Sequence, residues 1–219
     1  MIKNIALLKG GNSLEAEVSK LSAASVEQAL LANGYNVDSV EINNNFIEWA
    51  IENKEKVDVF FNALHGTWGE DGKIQGVFEY LQVPYTHSGV LSSAIGMNKY
   101  LSKKLFKSEG LPVPDGGILN KDFLETKGKT YKKPFIIKPV SEGSSINVHI
   151  VKESKDLDNI TKKINSEKLL IEDFIEGVDL TVGVMGGEAI GLLEIETNKS
   201  FYDFNAKYKS DKTSYKEPK

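Results

Sequence analysis

Apolar residues along the chain fall into two alternating patterns: short runs, and stretches repeating at helical spacing. Ile5 to Leu8 is a brief apolar run ending at Gly10-Gly11, which predicts a buried strand feeding a tight turn. Val18, Leu21, Ser25 and Ala29 then recur at helical spacing, joined by Leu30, with Gly34 placed to end the helix. A second strand is predicted over Tyr35 to Ile42, a helix over Phe46 to Asn53, and a third strand over Val57-Asp58-Val59-Phe60-Phe61. Strands alternating with helices predict a parallel sheet with right-handed crossovers. Ligands of such sheets gather at the carboxyl ends of the strands. Both Gly10-Gly11-Asn12 and His65-Gly66-Thr67 fall there.

A long helix is predicted from Ser92 to Glu109, stopping at Gly110 before Leu111-Pro112-Val113-Pro114, a natural boundary. Beyond it the pattern changes. Phe135 to Pro139 and Ile146 to Val151 read as strands flanking Ser141-Glu142-Gly143-Ser144-Ser145, an antiparallel hairpin. A helix from about Lys155 to Asn165 and a strand at Leu169-Leu170-Ile171 follow. Val182 to Met185 and Ala189 to Ile195 should pair around Gly186-Gly187-Glu188, leaving an unpaired edge. From Asn198 onward the chain is polar and rich in Lys and Tyr. There is no repeat or low-complexity tract.

Composition narrows the function classes. With 40% apolar and 26% charged residues, the 219-residue chain reads as a globular protein. A net charge of −4 gives no electrostatic reason for a nucleic-acid partner. No apolar run approaches the roughly 18 residues that span a bilayer, so no membrane association is expected. Met1-Ile2-Lys3-Asn4 leads straight into a strand with no signal peptide ahead of it. Cysteine is absent, which excludes disulfides and thiolate metal sites and suits a reducing, cytoplasmic compartment.

Several residues carry candidate chemistry. Gly10-Gly11-Asn12-Ser13-Leu14-Glu15 joins a strand to a helix N-terminus, where backbone N–H groups can hold an anion. It has neither the GxGxxG nor the Walker spacing. Glu15 has two readings: the third position of a capping box begun by Asn12, or a receiver for the ammonium group of an amino acid. His65 is either a hydrogen-bonded structural histidine or a ligand contact. Gly69-Glu70-Asp71-Gly72 could be no more than a turn and helix cap. Three scattered histidines without an HxxxH pair make no zinc site, and no Ser-His-Asp arrangement is evident.

Lys138 is the only charge in Phe135-Ile136-Ile137-Lys138-Pro139. A lysine in an apolar strand must find an anion or reach solvent, since burying it unpaired is costly. The Gly/Ser loop just after Pro139 adds exposed N–H groups, the combination that grips nucleotide phosphates. Lys99 carries less signal, being one of several lysines on its helix. Glu172 closes a strand and precedes Asp173-Phe174-Ile175-Glu176-Gly177, where backbone could read an adenine edge and Asp179 ribose hydroxyls.

In order along the chain, these segments resemble the D-alanine–D-alanine ligase family. The resemblance rests on Leu7-Leu8 with Gly10-Gly11, Glu15 through Ser19, Ala63-Leu64-His65-Gly66 and Gly69-Glu70-Asp71-Gly72. It continues through Gln75-Gly76, Pro84-Tyr85-Thr86, Ser88-Gly89, Met97-Asn98-Lys99, and Lys138-Pro139 with Glu142-Gly143-Ser144-Ser145. Phe201-Tyr202-Asp203 and Ala206-Lys207-Tyr208 complete it. Lys9 and His87 depart from the pattern, the latter where glycine is expected.

The resemblance implies an α/β and α+β protein: an N-terminal parallel-sheet (pre-ATP-grasp) domain, then an ATP-grasp domain incomplete at its C-terminus. The implied boundaries are 1–96 for the substrate-binding domain, 97–177 for the central ATP-grasp subdomain and 178–219 for the start of the C-terminal subdomain. It implies an ATP-dependent carboxylate-amine ligase joining two D-alanine molecules through an acyl phosphate, for peptidoglycan precursor synthesis. By the same resemblance Lys99, Lys138 and Lys207 hold ATP phosphates. Glu172, Phe174, Ile175 and Asp179 position adenine and ribose, Asp179 standing where Glu is common. Glu15, linked to Ser144 and Tyr208, takes the first alanine's amine, and Val18 and His65 line its pocket. Tyr208 resembles ligases whose second substrate is D-alanine. ATP with Mg2+ or Mn2+ is implied for the complete enzyme. The metal ligands of the family pattern lie beyond Lys219, which predicts that this chain holds no metal and is inactive alone. Family members are commonly homodimers, but no interface is legible here. Another ATP-grasp carboxylate-amine ligase, or a nucleotide- or amino-acid-binding fragment without turnover, are the alternative readings.

Overall fold

In the computed structural model, residues 2–120, 124–164, 166–197, 201–208 and 212–218 are described, apart from the side chains of residues 125 and 127. They divide into two compact units: Met1–Pro112 with Val140–Gly143, and Val113–Pro139 with Ser144–Lys219.

The first unit is built on a parallel sheet. Strands β1 (Asn4–Gly10), β2 (Asn36–Ile42) and β3 (Val59–Asn62) lie in the order β2-β1-β3. The central strand is a continuous apolar run because both of its faces are covered. Ala6 and Leu8 pack with Phe46, Phe60, Ile74 and Phe78, whereas Leu7 packs with Ala23 and Ala63. The first face is therefore closed by α2 (Phe46–Asn53) and α3 (Lys73–Leu81), the second by α1 (Ala16–Ala32). Phe60 and Phe78 stack at 4.7 Å between ring centroids. A parallel bridge from Phe60 to Tyr85 extends the sheet beyond its three named strands. The expectation of alternating strands and helices with glycine loops at the strand ends holds.

Two local readings are corrected. The helix expected over Ser92 to Glu109 is two helices, α4 (Val90–Met97) and α5 (Lys99–Ser108). Asn98 breaks it: its backbone is extended at ψ 95°, and its side chain accepts the Leu101 N–H at 3.1 Å, capping α5. The capping box begun by Asn12 does not form either. The N-cap of α1 is Glu15 itself, whose N–H donates to Ser13 Oγ at 3.1 Å.

The second unit holds two antiparallel sheets. Strands β4 (Gly116–Asn120), β5 (Phe135–Pro139), β6 (His149–Val151) and β7 (Lys168–Asp173) lie in the order β4-β7-β5-β6. Phe135, Ile137, Val151, Leu169 and Ile171 share a core with Leu124, Leu157 and Ile160, so α6 (Leu124–Thr130) and α7 (Ser154–Lys163) cover one face. The expected hairpin forms, with Ile136 opposite Ile150. A capping box between Glu153 and Asp156 starts α7. The second sheet has the order β10-β9-β8, from β8 (Asp179–Met185), β9 (Glu188–Glu196) and β10 (Ser214–Lys216). The polar tail thus supplies a strand that covers one edge of the β8–β9 hairpin, and also a short helix, α8 (Phe204–Tyr208). Among the described residues no helix is long and apolar enough to cross a membrane.

Candidate active site

At the strand ends of the first unit, one helical stripe of α1 does most of the positioning. Ser19 and Ser22 are spaced at i+4 and i+7 from Glu15, so the three share a face. The buried Ser19 hydroxyl accepts the Gly10 N–H at 2.8 Å and donates to the Ala63 carbonyl at 2.7 Å, tying the ends of β1 and β3 to the helix. Glu15 is 5% exposed and Val18 8%. A Cβ on Gly66 would lie 2.5 Å from Glu15 Oε2, and one on Gly143 2.7 Å from the same oxygen. Both glycines are therefore required by the close approach of their backbones to this carboxylate, and Gly66 also sits at φ 72°.

His65 follows β3 and is held from two sides. Ser22 Oγ lies 3.0 Å from Nε2, and Glu70 Oε1 lies 3.6 Å from Nδ1. The hydrogen bond to Glu70 raises the imidazole pKa against the opposing effect of burial. For Glu70 burial works against charge, but the His65 ring and the Gly66 N–H, donating at 2.9 Å, outweigh it and hold the carboxyl below its usual range. Asn62 Nδ2 and Gln75 Nε2 both donate to the Gly69 carbonyl, at 2.8 and 2.7 Å, which pins the loop carrying His65 and Glu70. Lys99 opens α5; its Nζ donates to the Glu142 carbonyl and its N–H to the Val140 carbonyl.

A cavity of about 750 Å³ lies here, lined by Ser22, Asn62, His65, Glu70, Gln75, His87, Ser93, Lys99 and Gly143 among others. His87 adopts φ 82°, the left-handed conformation that glycine takes freely, which is the physical reason a glycine is expected at that position. Ser22, Asn62 and Glu70 were not singled out as site residues from the sequence. Only the helical spacing of Ser22 from Glu15 offered a usable signal.

In the second unit, Lys138 Nζ forms an ion pair with Glu172 Oε1. Register explains why they meet. Glu172 stands opposite Ile136, and Lys138 lies two residues along on the same strand, so the two side chains project from one sheet face as diagonal neighbours. This is the face away from α6 and α7. Gly116, opposite Glu172, permits the approach of β4: a Cβ there would lie 2.1 Å from the Ile171 carbonyl oxygen. Glu172 lies inside β7 rather than closing it.

On the same face Ile150, paired with Ile136, lines a cavity of about 560 Å³ with Lys133, Pro134, Lys152, Phe174, Glu176 and Gly177. Ile175 is exposed, and Asp179 opens β8 opposite Ile195. The Gly/Ser loop places Ser144, Ser145 and Asn147 at positive φ, between 51° and 58°. Ser144 Oγ lies 2.9 Å from Tyr208 Oη, and Ser145 Oγ donates to the Tyr202 carbonyl at 3.0 Å. Lys207 Nζ lies 5.3 Å from the Tyr202 ring centroid. Burial and the Tyr215 hydroxyl, 3.0 Å away, push the Tyr202 phenol up to about 12. Among the described residues no three His, Cys, Asp or Glu side chains gather as a metal-holding group.

The sequence pattern described as "D-ala D-ala ligase N-terminus" matches residues 41–88, and "D-ala D-ala ligase C-terminus" matches 105–219. The D-alanine–D-alanine ligase of Parvibaculum lavamentivorans is 42% identical over 213 residues, 95% of this chain and 68% of that protein. The chain belongs to the D-alanine–D-alanine ligase family. The fold agrees with membership. A D-alanine–D-alanine ligase from Bacillus anthracis superposes with a TM-score of 0.81 at 32% identity, over 99% of this chain and 72% of that one. A second structure of a ligase from that organism, complexed with ATP, gives 0.78 at 29% identity over 99% and 71%. This ligase-family chain thus spans about two thirds of the length of the curated relatives it matches.

Proposed function

We propose that these residues serve the ATP-dependent joining of two D-alanine molecules. In this reaction a carboxylate oxygen of the first D-alanine attacks the γ-phosphorus. The β–γ P–O bond breaks, its electron pair leaving on ADP. The amine nitrogen of the second D-alanine then attacks the acyl carbon, inorganic phosphate departs with the C–O bonding pair, and the amine gives up a proton. Phosphoryl transfer of this kind relies on positioning and charge stabilisation.

The observation that carries the reading is the Lys138–Glu172 pair on a sheet face shared with the Phe174 cavity, in a chain of this family. We assign Lys138, Lys99 and Lys207 to the phosphates, Lys138 being held by Glu172 where an apolar strand would otherwise leave it unpaired. Glu172, the backbone at Phe174 and Ile175, and Asp179 are assigned to adenine and ribose. Glu15 is assigned to the ammonium group of the first D-alanine; it is the buried carboxylate that Gly66 and Gly143 make room for. Val18 and His65 line that amino-acid site, and Ser144 with Tyr208 steadies the Gly/Ser loop. A divalent cation such as Mg2+ would neutralise charge on the phosphates. No group among the described residues is suited to hold it, and no step here passes through it. A chain without cysteine suits a reducing compartment, and we place the reaction in the cytoplasm.

Calorimetry with the purified chain tests this reading. ATP should bind saturably, and D-alanine should bind to the wild type but not to Glu15→Gln. Absence of any ATP binding by the wild-type chain would overturn it.

A further inference from the structure

The β8–β9–β10 sheet is unlike the other two in being bare. Every residue of β8 is exposed, and Leu180, Val182, Val184, Met185, Ile190, Leu192 and Leu193 are each between 40 and 70% accessible. The register divides them between two faces. Leu180 opposite Glu194 and Val182 opposite Leu192 lie on one; Thr181 opposite Leu193 and Asp179 opposite Ile195 lie on the other, with Tyr215 beside Ile195. The free edge of β8 has no strand beside it among the described residues. An apolar surface of this extent, with an open backbone edge, marks an interaction site.

Two facts decide what would occupy it. The ligase of Parvibaculum lavamentivorans matches this chain over only 68% of its own length, so roughly a third of that protein has no counterpart here. A second copy pairing edge to edge through β8 would extend the sheet but leave both apolar faces uncovered. We propose that the β8–β9–β10 sheet docks a polypeptide equivalent to that unmatched third of the relatives, which adds a strand along β8 and lays apolar side chains on the sheet. Main-chain hydrogen bonds along the edge give affinity, and Leu180, Val182 and Leu192 give specificity. Glu194 and Glu196, each paired with Lys216, form a polar border.

The test mixes the full chain with the unmatched portion of the Parvibaculum lavamentivorans ligase, expressed separately. Sedimentation should show a one-to-one complex, and hydrogen exchange of the Asp179–Met185 amides should slow by about tenfold or more while β1 is unchanged. Leu192→Lys and, independently, Val182→Lys should weaken association by about tenfold or more with the circular dichroism spectrum retained. No complex at micromolar concentrations, association without protection of β8, or β8 protection arising from self-association of the chain alone would each overturn the proposal. The assay contains neither nucleotide nor D-alanine, so its outcome is separate from that of the proposed reaction.

Discussion

Replacing Lys138 by alanine separates a lysine that holds a sheet together from one that binds a ligand. The Lys138 side chain is 22% exposed and that of Glu172 5%, so the variant takes a cation away from a buried carboxylate. Breaking a buried pair from one side costs about 3–5 kcal/mol; the partial exposure of the lysine favours the lower end, about 3 kcal/mol. At 1.4 kcal/mol per factor of ten, amide exchange of β5 and β7 should accelerate about a hundredfold. Exchange is the suitable assay because it reads this unit directly in a chain that divides into two. The double variant Lys138→Met with Glu172→Leu removes both charges at once. A well-packed apolar replacement of a buried ion pair is often neutral, so it should restore exchange to within about 1 kcal/mol of wild type. ATP binding should stay lost in both variants. Unchanged exchange in the single variant would refute the buried-pair reasoning, and recovery of ATP binding by the double variant would refute the phosphate role.

Two further predictions come from the same geometry. The His65 imidazole should titrate above its ordinary value of about 6.5, and Glu70→Gln should bring it back down, read by proton NMR. Because the folded-state pKa of His65 is raised, its stabilisation is fully present below the ordinary imidazole value and is lost as pH rises through the raised one. The depressed Glu70 contributes above the ordinary carboxylate range, so the pair acts between the two limits. Half-exposed, it is worth under about 1 kcal/mol, and a histidine that titrates identically in Glu70→Gln removes the pair from the account. Gly116→Ala should destabilise the second unit by about 2 kcal/mol or more, since its Cβ would meet the Ile171 carbonyl at 2.1 Å in a backbone at φ 148°. A denaturation midpoint equal to wild type would show that β4 moves aside at little cost.

The parallel sheet was legible because burial on both faces turns β1 into an uninterrupted apolar run, and because each strand is followed at once by its helix. The second unit was legible only in pieces. Its strand order, β4-β7-β5-β6, places β5 beside β7 although β6 and α7 come between them in the chain. The need of Lys138 for an anion is visible in its own strand. That the anion is Glu172 follows from a register no local pattern encodes. The break at Asn98 was missed for the opposite reason: helix-forming residues flank it on both sides, and one asparagine side chain capping Leu101 is enough to redirect the chain.

The Gly/Ser loop shows where intrinsic preference and tertiary demand diverge. Propensity alone would give the left-handed conformation to the loop's glycine, yet Ser144, Ser145 and Asn147 hold the positive φ angles and Gly143 does not. Gly143 is spent on space, because any side chain there would strike the Glu15 carboxylate. The serines accept the strained backbone, and the hydrogen bonds from Ser144 to Tyr208 and from Ser145 to the Tyr202 carbonyl hold them in it. A residue type chosen for its smallness and residues chosen for their hydroxyls are indistinguishable in a one-dimensional pattern of Gly and Ser. Only the position of Glu15, some 130 residues earlier in the chain, tells them apart.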